Sequence, residues 1–140
     1  MRKKKRENNS RKQKDVPEFT DQEICDVFLY YFINKHHIDL RVINKEVEES
    51  LFRRIEEGDP IALREITRAY SWLAKESATL YYKFRKDTPL RKLKILASLS
   101  IKEAAKYYKT TRGYKFATYA MWWILTAFGV ETNKIVIPQE

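Results

Sequence analysis

The chain is poor in the residues that interrupt helices, with three glycines and four prolines among 140 residues. Lys, Glu, Leu, Ile and Ala are abundant instead, so the composition points to an all-α protein. Cysteine occurs once, at Cys25. A single thiol excludes a disulfide framework within the chain and any zinc site built on clustered cysteines, and its apolar surroundings mark it as a small core residue. Histidine occurs only as the adjacent pair His36 and His37. Without a nearby cysteine or a suitably spaced acid, these read as surface or capping residues, so no metal and no cofactor are expected. No apolar run reaches about 18 residues, and the basic start leads into polar residues rather than the apolar stretch of a secretory signal. A cytosolic protein with no membrane contact is expected. Glycine-rich phosphate loops and nucleophile motifs are also lacking, and caps and solvated faces account for the scattered carboxylates, so the chain is not read as an enzyme.

What is plentiful is positive charge, and it is unevenly spread. The net charge is +9, of which residues 1–14 (MRKKKRENNSRKQK) carry +7, with eight Lys and Arg against one Glu. Residues 1–16 are therefore expected to form a disordered basic tail that keeps the protein soluble or attracts phosphate loosely. Residues 17–140 are expected to form one domain, a compact helical bundle of about five helices.

Local signals place those helices. Thr20 and Glu23 make a capping box that opens a first apolar helix running to about Asn34. Asn44 caps the next, with Val47, Leu51, Phe52 and Ile55 on its apolar face, and Gly58 stops it. Asp59 then caps and Pro60 takes the first helical position, predicting one long helix to about Phe84 with Ile61, Ile66, Ala69, Leu73 and Leu80 as its core stripe. Lys86 to Pro89 supply turn chemistry. Residues 90–109 follow as one helix or two, because Ser100 and Glu103 form a second possible capping box in mid-run.

The last stretch, Arg112 to Phe128 (RGYKFATYAMWWILTAF), is the densest in aromatics. Tyr114, Phe116, Tyr119, Trp122 and Trp123 fall beside Arg112 and Lys115. On a helix, positions 116, 119, 120, 123 and 127 share one face and 118, 122, 125, 126 and 129 a neighbouring one. One face is expected to enter a core while the other displays Thr118, Trp122 and Thr126, with Tyr119 and Trp123 at the border. Two readings stand at this point. The rings are core, as aromatic stripes usually are, or they are a platform on which unpaired bases stack while cations hold phosphates and a threonine reads a base edge.

The string RGYKFATYAMWWI, followed by IVIP at residues 135–138, closely resembles the promoter-melting and minus-ten-recognition segment of bacterial RNA polymerase sigma factors of the housekeeping class. LFRRIEEGDPIALREITRA, residues 51–69, resembles the helix, Gly-Asp turn and helix that open the same domain, so the resemblance spans roughly residues 40–138. It implies a protein of a bacterial or phage-infected cell, working at the nucleoid. Its implied partners are core RNA polymerase, through the β′ clamp helices, and promoter DNA, above all the single non-template strand of the minus-ten element.

Carried over residue by residue, the resemblance makes Tyr119 the ring that stacks on the flipped adenine. Trp122 and Trp123 become a wedge at the upstream edge of the bubble, and Tyr114, Lys115, Phe116 and Thr118 the rest of the strand channel. Two places depart from the family. In the docking helix, Lys92, Ile95 and Leu96 stand at the family's aspartate, glutamine and glutamate, and Ala97 at its glycine. A lysine in place of a carboxylate reverses the sign of a contact, which leaves a changed partner, docking through apolar Ile95, Leu96 and Leu99, or lost docking. At the duplex-reading end, Thr126 replaces a glutamine and Gly129 a threonine, while Leu125 and Val130 replace arginines, so bidentate adenine reading is gone. The family's minus-thirty-five module is not found after Glu140, which leaves the minus-ten element, the basic tail or a second protein to supply the anchor. Two functions follow: an initiation factor that binds polymerase and melts minus-ten DNA, or a diverged domain that competes for polymerase or engages a regulator without directing initiation.

Overall fold

The computed structural model describes residues 19–35, 44–111 and 113–132. The tail 1–16, His36, His37, Arg112 and the 135–138 segment lie outside the described residues. The described residues are all helical, as the composition implied, and hold six α-helices. These are α1 (Asp21–Leu29), which continues into a π-helical turn (Tyr30–Lys35), α2 (Lys45–Glu56), α3 (Pro60–Ala69), α4 (Ser71–Phe84), α5 (Leu90–Tyr107) and α6 (Phe116–Ala127).

The expected caps are in place. Thr20 and Glu23 form the reciprocal capping box, the Asn44 side chain accepts from the N–H of Glu46 and of Val47, and that of Asp59 accepts from Ile61 and Ala62. Each removes an orphan helical donor. Gly58 closes α2 at φ +90°, a conformation only glycine adopts without strain.

The predicted long helix from Pro60 is two helices. Tyr70, at φ −104° and ψ 17°, ends α3 and begins α4. Sequence periodicity does not reveal the break, because its cause is tertiary. The Tyr70 ring is buried edge-on against Phe116, with centroids 4.9 Å apart, and its hydroxyl donates to the Glu48 carboxylate on α2. A straight helix does not deliver the ring to both partners. Ile61, expected in the core stripe, is 51% exposed, and Val47 is also exposed.

α5 is the centre of the bundle, packing on α2, α3, α4 and α6. Its inward side is mostly small (Ala97, Ser100, Ala104 and Ala105 beside Leu93 and Ile101), which permits close helix approach. It runs unbroken, so the second capping box is not used. Ser100 Oγ donates to the Leu96 carbonyl within the helix at 2.8 Å instead. α1 is braced across the bundle through Asp21. One of its carboxylate oxygens takes the Arg85 guanidinium at 2.7 Å and the other the Glu131 backbone N–H at 2.7 Å. These donors hold the Asp21 carboxyl below its ordinary pKa, the Glu131 N–H first and the Arg85 hydrogen bond second.

Candidate nucleic-acid interface

α6 is apolar on most of its circumference. Phe116, Ala117, Ala120, Met121, Trp122, Ile124 and Leu125 are all buried. What remains outward is Thr118 together with Tyr119, Trp123, Thr126 and Ala127, the last four a stripe at i, i+4, i+7 and i+8. The displayed face is thus rotated from the expected one. Trp122, expected on show, is 4% exposed, while Tyr119 and Trp123, expected at a border, form the ridge. The reason is the position of α5, which covers the side of α6 carrying Trp122 and leaves the next side over.

Between the two helices lies a groove of about 570 Å³. Leu96, Leu99, Ser100 and Glu103 of α5 form one wall, and Tyr119, Trp122, Trp123 and Thr126 of α6 the other. Two residue sets singled out separately in the sequence therefore meet in one place. Leu96 and Leu99 come from the docking set, and the four α6 residues from the strand-binding set. Lys92 and Ile95 are exposed on α5 but do not line the groove; Ile95 and Leu99 are each 54% exposed, uncommon for large aliphatic side chains.

Phe116 belongs elsewhere. It is 2% exposed and sits among Phe52 at 5.0 Å, Tyr70 at 4.9 Å and Tyr108 at 5.3 Å, centroid to centroid. This is core packing. Tyr108, which the sequence reading did not select, organises the segment before α6. Its ring touches Phe52, Phe116, Tyr114 and Tyr119, and its hydroxyl donates to the Tyr114 carbonyl at 2.6 Å. The signal was there as a second aromatic next to Tyr107, but only packing separates the two roles.

The ridge rings are engaged with one another. Tyr119 stacks on Tyr114, with centroids 5.7 Å apart and planes 17° apart, and meets Trp123 edge-on at 6.2 Å. Trp123 stacks on Tyr107 of α5 at 5.6 Å and 8°. Thr118 is half-buried and Lys115, at the N-cap of α6, is exposed.

The duplex-reading end turns inward. Gly129, at φ +92°, ends the helix, its N–H reaching the Thr126 carbonyl at 3.0 Å and the Val130 N–H reaching that of Leu125 at 3.0 Å. That double bond pattern closes α6 and carries Val130 into the core. Leu125 and Val130 are 0% and 3% exposed. The positions where the resembled family carries arginines therefore serve the core here and face no phosphate.

Among curated proteins, the chain is similar to the RNA polymerase sigma factor RpoS of Coxiella burnetii (strain RSA 493 / Nine Mile phase I), at 30% identity over 83 residues. That alignment takes in 59% of this chain and 23% of the sigma factor, so the chain spans about a quarter of that protein's length. No family model matches the chain. No solved structure matches it either.

Proposed function

We propose that the domain acts as a sigma-like transcription-initiation module, docking on core RNA polymerase through the outer face of α5 and holding one strand of opened minus-ten DNA on the ridge of α6. The observation that carries this reading is the groove, because it joins the apolar α5 positions to the aromatic α6 positions in one surface. Partial similarity to a sigma factor supports the same assignment.

In this reading Ile95, Leu96 and Leu99 make docking an apolar contact, and Lys92 sits at its edge. Two half-exposed aliphatic side chains one helical turn apart, Ile95 and Leu99, anchor a partner helix. On the DNA side, Tyr119 receives a base only if Tyr114 gives up its stacking position. An aromatic pair contributes about 0.5–1.5 kcal/mol beyond burial, whereas a base on an aromatic ring contributes about 1–3 kcal/mol. The exchange is favourable for one base, and Tyr114 is the ring that gives way. Lys115 lies at the start of the ridge to meet a phosphate, Thr126 lies at its far end to meet a base edge, and buried Trp122 contributes to the groove wall beside Trp123. With Leu125 and Val130 buried, duplex reading is weak and strand capture carries the specificity.

A competing role is favoured by one observation. Lys92 is exposed where the resembled family presents a carboxylate to polymerase, so the same fold would suit a domain that engages polymerase differently and blocks initiation.

Retention of a bacterial core polymerase by the purified protein at moderate salt is the first test. Ile95→Asp and Leu99→Asp should each abolish it, and Tyr119→Ala should weaken binding of a single-stranded minus-ten oligonucleotide to the complex. Retention with no transcript from any minus-ten promoter would select the competing role; no retention would overturn both.

A further inference from the structure

Tyr107 ends α5 and is 56% exposed, yet its ring is not loose. It lies parallel to Trp123, with centroids 5.6 Å apart and planes within 8°. One face is thus backed by the indole, while the residue as a whole stays more than half exposed. The spacing decides what the pair can do. A base inserted between two rings needs about 3.4 Å on either side, or roughly 6.8 Å in all, and 5.6 Å does not admit it. The Tyr114–Tyr119 pair, at 5.7 Å, is closed in the same way. Trp122 is buried. Of the rings on this ridge, Tyr107 is the most exposed, and its unstacked face needs no rearrangement to meet a ligand.

We infer that Tyr107 is a base-stacking residue, the ring on which an unpaired nucleobase of a single DNA strand first lands, with Trp123 as its rigid backing. The inference rests on the strand-binding reading above and extends the site from α6 to the end of α5. The surroundings favour a polyanion over a protein surface. Lys106 and Lys109 flank the ring in sequence, and Lys102 is exposed one helical turn before Lys106. Among the described residues, Lys106 and Lys109 are held by solvent-exposed pairs, to Glu103 at 3.0 Å and to Glu56 at 3.5 Å. Such pairs are weak and exchange readily for phosphate. A pre-stacked ring also binds at lower ordering cost than a mobile one, because its rotamer is already set.

The test uses the full chain, alone and with bacterial core polymerase, and single-stranded minus-ten oligonucleotides carrying 2-aminopurine at successive positions, whose fluorescence falls on stacking. Tyr107→Ala should lower affinity by about tenfold and abolish quenching at one position, Tyr107→Trp should keep both, and Tyr107→Leu should behave like Ala. Melting temperatures should stay close to wild type, since the ring is outside the core. Wild-type binding by Tyr107→Ala, or full rescue by leucine, would overturn the inference while leaving the strand-binding reading in place. Loss of polymerase retention in parallel with oligonucleotide binding would also overturn it and assign the ring to a protein contact. If the wild-type protein retains polymerase but binds no oligonucleotide, the strand-binding reading itself fails, and this inference with it.

Discussion

Replacing Phe116 by alanine separates a core role from a strand-contact role. Deleting a buried Phe side chain costs about 3–5 kcal/mol through lost burial and the cavity left behind. Phe116 belongs at the upper end, because Phe52, Tyr70 and Tyr108 pack on its ring from three helical segments and all three lose that partner. About 4 kcal/mol is a large share of the 5–15 kcal/mol that stabilises an ordinary domain. With each kcal/mol shifting the midpoint of a domain this size by roughly 3–5 °C, the thermal midpoint should fall by about 12–20 °C. Circular dichroism at 222 nm measures it directly, and Tyr119→Ala serves as the control, with a shift of only a few degrees. A Phe116→Ala protein that melts within about 3 °C of wild type would refute the core assignment. Should that protein also lose oligonucleotide binding while fully folded, Phe116 returns to the strand channel.

Asp21→Asn should loosen α1, since it removes the charge that Arg85 and the Glu131 N–H both use. The site is partly exposed, so the loss at neutral pH is about 1 kcal/mol. The folded carboxyl has a lowered pKa, so its contribution is present above the ordinary 3.8 and is lost as the pH falls through the lowered value. Acid titration of stability should show that limb in wild type and not in the variant. Tyr70→Phe leaves the Glu48 carboxylate half-buried without its hydroxyl donor, and chemical denaturation at pH 8 should show a loss of about 1–3 kcal/mol. Burial already raises the Glu48 pKa while the Tyr70 bond lowers it, so the variant's deficit should shrink as the pH falls and the carboxyl protonates. A deficit independent of pH would refute the pairing. Ser77 is fully buried on α4, and its hydroxyl has no hydrogen-bond partner among the described residues. Ser77→Ala should therefore stabilise the protein by about 0.5–1 kcal/mol, and a loss instead would point to a bridging water.

Much of the local structure was legible. Thr20, Asn44 and Asp59 could be read as caps because a side-chain acceptor two or three residues ahead of free helical N–H groups is a purely local contact. Pro60 and Gly58 marked their boundary for the same reason. The break at Tyr70 was not legible, since it depends on Glu48 and Phe116, which are distant in sequence. Nor was the orientation of α6. A helix apolar nearly all round has no single inward face until a neighbour chooses one, and the approach of α5 buried Trp122 and left Tyr119 and Trp123 outside.

The candidate site divides along the same line. Composition and spacing alone established an all-α chain and the concentration of rings after Arg112, because these are properties of residue type and local periodicity; the differences at Lys92, Thr126 and Gly129 came only from the family resemblance. Tertiary packing decided which rings are core and which are surface. It sent Phe116 inward and folded Leu125 and Val130 into the core. It joined Leu96 and Leu99 to the α6 ridge across one groove, and set Tyr107 against Trp123. The physical reason is that stacking and burial are relations between segments, and a sequence records only the segments.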